Sequence, residues 1–389
     1  MTVEHTLIVP VHNGSEFIHI FWSSLLPNAL PNSELIIVDD GSREDLHRLV
    51  PPLPDSLNAR VLRNDRPQGY ARAVNRALAE TRGEYVYLLN TDLILGQGAL
   101  ELIHACLRGD ERIGVVGAKL LYPQTGKIQH FGLAFTPTRK FHIFTHMDPD
   151  HPLVSASREF QAVTFALCGA RRRLFEEIGP LDDRFCNGCE DIDFSLRAAA
   201  CGYRNVVPSE VASYHWESLS GEGARHITTL ENEARFWGRW TGRIENDIGR
   251  FVQESVRTFL NAHPQWHEKS FIVVNLAPGN DSQYVRAAIE SELPHHDAFA
   301  CWDYSRSARH NGQIWLAMTL PFDALRSPLP FLFLVHEYPQ LLQNDYWFAT
   351  RQQFCADDLV VDHYANVLQT SGPVFRSHAA RQKSVMDVS

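Results

Sequence analysis

The sequence lacks long hydrophobic runs. None approaches the roughly 20 residues that a membrane-spanning helix needs, and the longest candidate, Pro330–Val335, is far too short. The first residues, MTVEHTLIVPVHNG, contain no charged-then-apolar leader. We therefore expect a cytoplasmic protein with no transmembrane segment, and peripheral contact with the inner face of the membrane stays open.

Positive charge is also scarce. The 36 Lys and Arg residues face 46 Asp and Glu residues, for a formal net charge of -10. A nucleic-acid binder normally presents a basic face. The sequence therefore predicts no nucleic-acid partner.

The seven cysteines form no framework. They are odd in number and scattered, and one C-x-x-C pair, Cys186 and Cys189, has no second pair at zinc-like spacing. This pattern is typical of a reducing compartment rather than of disulfides or structural zinc.

Strand and helix signals alternate through the first half of the chain. The continuous apolar strands indicate burial on both faces, and their alternation with helices predicts an α/β fold with a Rossmann-like, mostly parallel sheet and flanking helices. The predicted strands are Thr6–Val11, Leu35–Val38, Ala59–Leu62 and Glu84–Leu89, and the predicted helices are Phe17–Leu26, Asp45–Val50 and Tyr70–Arg82.

Polar side chains follow three of these strands. They are His12-Asn13, Asp39-Asp40 and Asn90-Thr91-Asp92. Each cluster alone is typical of a turn. Three loops that meet at the carboxyl edge of one sheet instead indicate a ligand site.

An acidic cluster lies at the beginning of a later predicted helix, Asp191–Ala200. Glu190, Asp191 and Asp193 stand at its beginning. Acidic residues there complement the helix dipole by roughly 0.3–1 kcal/mol each. One carboxylate would serve that purpose, so the crowding indicates a further role.

The pattern restarts near residue 250. A strand is predicted at Phe271–Leu276, and helices at Gln283–Leu293 and Asp357–Leu368. We expect two domains, residues 1–250 and a smaller α/β region at residues 251–389.

Five motifs in order carry a family resemblance over residues 5–245. They are IVPVHNG (8–14), IIVDDGS (36–42), GYARAVNRAL (69–78), YLLNTDLIL (87–95) and CEDIDFSLRAAACGYR (189–204). Together they resemble the family-2 inverting glycosyltransferases with the GT-A fold. The stretches KIQHFGLAF (127–135), AVTFALCGARRRLFEEIGPLDDRF (162–185) and YHWESLSG (214–221) are similar to the rhamnosyltransferase-like branch that extends bacterial surface polysaccharides.

The resemblance implies roles for the strand-end residues. Those of the first two loops would hold the donor's nucleobase and ribose, and Asn90-Thr91-Asp92 occupies the place of the D-x-D motif that brings a divalent metal to the diphosphate. The implied donor-binding residues are Pro10, His12, Asn13, Asp39, Asp40, Asn90 and Asp92.

The resemblance also implies the metal ligands and the base. His215 would complete the metal site with Asp92, and Asp191 would be the catalytic base, with Glu190 as the alternative and Asp193 as a helix-capping residue. Two departures from the family pattern are Asn90, where Asp is common, and Phe165, where relatives often carry Gly beside the acceptor cleft.

These roles predict metal-dependent, inverting sugar transfer in O-antigen, capsule or cell-wall glycan synthesis. The donor would be a UDP-, dTDP- or GDP-linked sugar, and the acceptor a hydroxyl of a glycan or lipid-linked glycan. A hard cation offsets leaving-group charge on the diphosphate. Either Mn²⁺ or Mg²⁺ would serve, and an imidazole ligand favours Mn²⁺.

Two other functions fit the sequence less well. A sugar-nucleotidyltransferase would carry a Gly-rich first loop, whereas this chain has PVHNGSE. A non-catalytic carbohydrate-binding homologue is disfavoured because Asp92, Asp191 and His215 occur together. Residues 251–389 are predicted to be an accessory domain or, from LPFLFLVHEYPQ (329–340), the N-terminal half of a second, GT-B-like transferase.

Overall fold

The structure is a computed structural model. The residues it describes are 2–15, 18–136, 139–145, 147–216, 225–245, 247, 250, 251 and 254, with five strands farther along the chain. They divide into two compact units, Met1–Leu133 with His146–Thr241 and Ala134–Thr145 with Gly242–Ser389. The predicted domain boundary at residue 250 stays a prediction. Within the described residues, every helix is too short or too polar to span a membrane.

The chain contains nineteen strands and seven α-helices in its described parts. The strands are β1 His5–Val11, β2 Ser33–Asp39, β3 Ala59–Arg63, β4 Tyr85–Leu89, β5 Leu93–Ile94, β6 Ile113–Gly117, β7 Lys119–Leu121, β8 Ile128–His130, β9 Leu133–Thr136, β10 Arg139–His142, β11 Arg158–Phe160, β12 Leu167–Arg171, β13 Arg204–Val207, β14 Ala212–His215, β15 Phe271–Leu276, β16 Ala298–Asp303, β17 Leu320–Phe322, β18 Ser327–Leu329 and β19 Leu359–Val360. The helices are α1 Ile18–Asn28, α2 Leu46–Leu49, α3 Tyr70–Leu78, α4 Ala99–Gly109, α5 Arg172–Ile178, α6 Glu190–Ala200 and α7 Arg225–Trp240.

The first unit is built on an eight-stranded sheet. Its order is β11-β13-β6-β12-β4-β1-β2-β3, and four of its seven strand pairs are parallel. The predicted α/β class with a mostly parallel sheet is confirmed. A smaller sheet, β5-β14-β7-β8, continues from the carboxyl end of β4.

Strand β12 lies antiparallel between β4 and β6. Gly169 in this strand has no room for a side chain, because a Cβ there would lie 2.5 Å from Cγ2 of Ile103 on α4. Helix α4 therefore packs directly on the sheet. The chain enters β12 at the edge where β4 ends, which brings residues Phe165 and Ala166 to the three predicted loops.

The predictions for the C-terminal region had mixed outcomes. The strand Phe271–Leu276 is confirmed. The predicted helix Asp357–Leu368 is wrong at Leu359–Val360, which pair with β15 as a strand because this short β-branched and apolar segment fits beside it. The predicted helix Gln283–Leu293 lies outside the described residues.

A buried carboxylate ties three segments together at the other end of the sheet. Glu34 is fully buried in β2 and accepts hydrogen bonds from Thr6 Oγ1 at 2.7 Å, Arg60 Nη1 at 2.7 Å and Arg82 N at 2.7 Å. Burial alone would raise the pKa of Glu34, but these hydrogen bonds outweigh it and lower the pKa to about 2. The network therefore favours the ionised form.

Replacing Glu34 should give a pH-dependent loss of stability. The folded pKa is depressed from 4.5 to about 2, so its stabilisation is present above the unfolded pKa and is lost as pH falls through the folded one. We expect Glu34→Gln to lower the unfolding free energy by about 3 kcal/mol at pH 7, with the difference shrinking below pH ~4.5. Chemical denaturation across this range measures it. Glu80→Gln, at an exposed partner of Arg60, is the control, and a pH-independent loss in Glu34→Gln would contradict the assignment.

Candidate active site

Strand pairing brings Asp92 and His215 together. In the smaller sheet His215 of β14 lies opposite Leu93 of β5, and the Trp216 backbone N–H donates to the Asp92 carbonyl at 2.9 Å. As a result His215 Nε2 lies 3.2 Å from Asp92 Oδ1, and the two side chains are 13% and 22% exposed. The residues predicted as metal ligands are therefore neighbours.

Gln129 fixes the orientation of the His215 ring. Its Nε2 donates to the His215 carbonyl at 2.9 Å, so its Oε1 is the atom that faces His215 Nδ1 at 2.8 Å. Because an amide oxygen only accepts, Nδ1 must carry a proton. In the neutral ring, Nε2 then presents its lone pair toward Asp92.

The resulting pair of atoms fits a divalent cation. Asp92 Oδ1 is buried and makes no hydrogen bond among the described residues, and His215 Nε2 lies 3.2 Å from it. Two ligands at right angles, each about 2.1 Å from an ion, lie about 3.0 Å apart. Asp92 and His215 therefore match the oxygen and nitrogen donors of one coordination sphere.

The first strand-end loop is rigidly arranged. Pro10 is part-buried in β1 opposite Val38. His12 Nδ1 donates to the Asp40 carbonyl at 2.8 Å, and Asn13 Nδ2 donates to His12 Nε2 at 3.0 Å. The His12 side chain is exposed. These contacts hold the ring at the carboxyl edge of β1, where a ligand can reach it.

The two carboxylates after β2 have protein partners. Asp39 is fully buried, accepts from Ser42 N at 2.9 Å, and makes an ion pair with Arg63 Nη1 at 2.9 Å that lacks hydrogen-bond geometry. Asp40 accepts from Asn64 Nδ2 at 2.7 Å and from Gly69 N at 2.8 Å. Both carboxylates thus organise the loops around α3, and their predicted contact with a donor stays a prediction.

Glu190 and Asp191 begin helix α6. Cys189, which precedes them, has a left-handed backbone with φ 73°, and Gly188 N donates to Glu190 Oε2 at 2.6 Å. Asp191 Oδ1 accepts from Ile192 N at 2.8 Å, and Oδ2 from Phe165 N at 3.4 Å. Both carboxylates are thus held by backbone N–H groups at a helix N-terminus.

These adjacent carboxylates titrate differently. Burial and the charge of Asp191 raise the pKa of Glu190 to about 8. Burial also raises the pKa of Asp191, against hydrogen bonds from Ile192, Thr164 and Phe165 that favour its ionised form. Like charges this close cannot both ionise easily, and the hydrogen bonds to Asp191 favour placing the negative charge on Asp191 rather than on Glu190.

One short segment connects the base candidate to the metal candidates. Phe165 N contacts Asp191 as described, and the next residue, Ala166, accepts from Asn90 N at 2.8 Å through its carbonyl. Tyr70 Oη donates to the Phe165 carbonyl at 3.0 Å. Burial and then the nearby acidic groups, Asp92 and Asp191 among them, raise the pKa of Tyr70 well above its usual value.

Phe165 itself points into the core. Its side chain is 2% exposed, and its ring packs edge-on against Phe194 at 5.6 Å. The side chain therefore lines no cleft, although the family pattern predicts a cleft position here. Its backbone, not its ring, contributes to the site.

The sequence predicted that Asp193 caps helix α6, but in the structure it does not. It is fully buried, and its carboxylate accepts from Arg197 Nε at 2.9 Å, Arg239 Nη1 at 2.6 Å and Trp240 Nε1 at 3.0 Å. Because α6 begins at Glu190, Asp193 faces inward toward α7. It anchors the two helices to each other.

Sequence reasoning missed Gln129 and Tyr70 as site residues. Both lie inside motifs that carry the family resemblance, and Gln129 and His130 interrupt the apolar residues of KIQHFGLAF. That interruption was the available signal. Helix α7 was also missed, although Asn232 holds the loop before α6 through bonds to the Cys186 and Gly188 carbonyls at 2.9 Å.

The fold and the candidate site together define an α/β domain with carboxylates and an imidazole at its strand ends. Residues 6–179 match the model of Glycosyl transferase family 2. This part of the chain is therefore similar to the family-2 glycosyltransferases, and the predicted resemblance is confirmed for it. The narrower rhamnosyltransferase-like branch stays a prediction.

Two curated relatives share about 30% identity with the chain. An uncharacterised protein, y4gI of Sinorhizobium fredii, is 32% identical over 242 residues, or 59% of this chain and 26% of that protein. The O-antigen biosynthesis protein RfbC of Myxococcus xanthus is 30% identical over 230 residues, or 56% of this chain and 18% of that protein. The chain thus spans about a quarter or less of either relative.

Solved structures with weak likeness include two transferases. GalNAc-T7 with UDP, GalNAc and Mn²⁺ has a TM-score of 0.49 at 16% identity, covering 75% of this chain and 55% of that chain. The mannosyltransferase PcManGT from Pyrobaculum calidifontis with GDP-Man and Mn²⁺ has a TM-score of 0.48 at 17% identity. The match covers 75% of this chain and 80% of that chain. At these scores the likeness carries no argument about substrate or metal.

The tautomer of His215 gives a direct test of the site geometry. We expect neutral His215 to carry its proton on Nδ1, and Gln129→Met to shift it to Nε2, because Nε2–H can then donate to Asp92 Oδ1. Two-bond ¹⁵N–¹H correlation spectra of histidine-labelled protein distinguish the tautomers, with His215→Gln to assign the signal. Gln124→Met, at an exposed position, is the control. An Nε2–H tautomer in the parent would contradict the arrangement.

Proposed function

We propose that this chain transfers a sugar from a nucleotide diphosphate sugar to a hydroxyl of a glycan acceptor, with inversion at the anomeric carbon. The observation that carries the proposal is the contact between buried Asp92 Oδ1 and His215 Nε2 at 3.2 Å, at the carboxyl end of β4. Similarity to the family supports the reaction class. The contact supports the proposal because these two atoms would be suitable ligands for the metal of a metal-dependent transfer.

Asp92 and His215 would hold a divalent cation, and Gln129 would keep the imidazole in its ligating orientation. When bound, such a cation offsets the negative charge of the departing diphosphate. A carboxylate oxygen with one imidazole suits Mn²⁺ better than Mg²⁺. The strand-end residues Asn90 and His12 lie where the rest of the donor would be oriented.

Asp191 is the proposed general base. The acceptor hydroxyl gives its proton to the Asp191 carboxylate while its oxygen bonds to the anomeric carbon and the bond from that carbon to the diphosphate oxygen breaks. A single base with attack opposite the leaving group inverts the anomeric centre. Backbone donation from Phe165 and Ile192 holds the carboxylate in place.

The choice of Asp191 over Glu190 rests on their unequal protonation. A base must be ionised at the working pH, and the pKa of Glu190 is about 8. Glu190 is therefore mostly protonated near pH 7. Burial raises the pKa of Asp191 as well, but hydrogen bonds from Ile192, Thr164 and Phe165 oppose this rise and favour its ionised form. Pairs of carboxyl groups with separated pKa values commonly divide into acid and base roles.

The proposed acceptor belongs to a bacterial surface polysaccharide. The similarity to an O-antigen biosynthesis protein supports this pathway class, and a lipid-linked glycan is the corresponding acceptor chemistry. The donor is proposed to be UDP-, dTDP- or GDP-linked. A screen of these nucleotide sugars by thermal shift with Mn²⁺ identifies it, since a ligand at about 100 times its Kd adds roughly 2.7 kcal/mol of stability.

The metal role predicts a specific binding defect. Asp92→Ala should abolish Mn²⁺-dependent donor binding and leave the fold intact, because the side chain lies at a strand end and not in the apolar core. Asn90→Ala should weaken donor binding less, since Asn90 contributes no charge. Calorimetric titration of donor with and without Mn²⁺ measures both variants. Normal Mn²⁺-dependent binding by Asp92→Ala would place the metal elsewhere.

The base role predicts a loss of transfer without a loss of donor binding. Asp191→Asn cannot take a proton at neutral pH, so the transfer rate should fall about 10²–10⁴-fold while donor affinity barely changes. Glu190→Gln should keep most activity. Burial raises the pKa of Asp191, so the parent's kcat/KM should fall with decreasing pH through a midpoint above that of an ordinary aspartate, and Glu190→Gln should keep this limb. An active Asp191→Asn enzyme with an inactive Glu190→Gln enzyme would reverse the assignment.

A further inference from the structure

A second group of metal-ligand side chains lies far from the candidate active site. Within the described part of the chain, Glu4, His5 and His104 are the one such group of three whose ligand atoms all lie within 4.8 Å of one another. His5 is the first residue of β1, and the loop with His12 follows the last. Six steps of about 3.3 Å separate the ends of this strand by roughly 20 Å. The group is therefore distinct from the Asp92–His215 pair.

The Glu4 carboxylate lies between the two imidazoles. Its Oε2 is 3.8 Å from His5 Nε2, and its Oε1 is 4.0 Å from His104 Nε2. Both separations exceed hydrogen-bond distance. Ligand atoms of a tetrahedral ion with bonds of about 2.0–2.1 Å lie about 3.3 Å apart, so a modest inward movement would close the site around an ion.

Glu4 can make that movement without disturbing the sheet. Its side chain is 45% exposed, whereas its backbone is fixed by bonds from its N–H to the Asn32 carbonyl at 3.0 Å and from Tyr85 N–H to its own carbonyl at 3.1 Å. The carboxylate is therefore the adjustable ligand. The two imidazoles provide the fixed part of the site.

The imidazoles are held by neighbouring rings. His5 and His104 pack edge-on at 4.7 Å, and Tyr85 packs edge-on against His104 at 4.7 Å. Buried Tyr87 places its hydroxyl 3.3 Å from His5 Nδ1. A proton on Nδ1 that bonds to Tyr87 leaves the Nε2 lone pair of His5 directed at Glu4, as a ligating histidine requires.

His104 has no competing partner on its other nitrogen. Its Nδ1 is buried and makes no hydrogen bond among the described residues. Within the described part of the chain, no acceptor or donor therefore fixes the tautomer of His104, and its Nε2, which faces Glu4, can act as the ligand. Two imidazoles and one carboxylate match the protein ligands of many zinc sites, with water as the fourth ligand.

We propose that Glu4, His5 and His104 bind a divalent ion of the zinc class that ties the start of β1 to helix α4. The exposed side of Glu4 leaves the fourth position open to water. Such an ion joins two segments that are about 100 residues apart in sequence. Its role is structural, and it involves no residue of the proposed transferase site.

Co²⁺ is the probe for this site because tetrahedral Co²⁺ absorbs visible light. The titration uses the full-length chain with Asp92→Ala and His215→Ala, so that the candidate active site contributes no ligands. We expect one Co²⁺ per chain with tetrahedral ligand-field bands, displaced by Zn²⁺, and a higher Tm with Zn²⁺. Absence of these bands at saturating Co²⁺ would overturn the proposal.

Ligand variants and a matched control localise the ion. Glu4→Gln and His104→Gln should each weaken Co²⁺ binding at least ~10-fold, and His19→Gln, at an exposed histidine on α1, should leave it unchanged. Glu4→Gln changes an exposed side chain and so tests the site even if His104→Gln fails to fold. Unchanged Co²⁺ affinity in Glu4→Gln would assign the bands to other ligands and overturn the site.

Discussion

The backbone of two consecutive residues, Phe165 and Ala166, holds the candidate site together. Phe165 donates to Asp191 and accepts from Tyr70, and Ala166 accepts from Asn90. These residues lead into β12, which pairs with β4 on one side and β6 on the other. The distance between the proposed base and the proposed metal ligands therefore follows from the register of the central sheet. The buried ring of Phe165 packs against Phe194 and anchors this segment to helix α6.

Burial gives the two adjacent carboxylates different chemistry. Glu190 and Asp191 are adjacent in sequence. Hydrogen bonds from Ile192, Thr164 and Phe165 favour the charged form of Asp191 and oppose the effect of its burial. Fewer hydrogen bonds oppose the burial of Glu190, and the charge of Asp191 raises its pKa further. A sequence motif of two acids cannot express this difference. It depends on which backbone N–H groups the fold directs at each side chain.

The sequence predicted the alternation of strands and helices and the polar residues at the strand ends, because both follow from local patterns. It could not predict that β12 runs antiparallel, since an apolar strand has the same pattern in either direction. It also could not predict the contact of Gln129 with His215, which joins residues 86 positions apart. Asp193 was misread as a cap for a similar reason, because its partners Arg239 and Trp240 come from a distant helix.

The buried polar groups of the first unit differ in how well they are satisfied. Glu34 and Asp193 are fully buried, and each accepts several hydrogen bonds from the protein. Asp92 Oδ1 is buried as well, but among the described residues it makes no hydrogen bond, and it lies 3.2 Å from His215 Nε2. An unsatisfied buried acceptor costs about 1–3 kcal/mol, and a charged one more. Folds generally keep such a cost where a ligand compensates for it, so the same contact that weakens the isolated domain is the one expected to bind the cation.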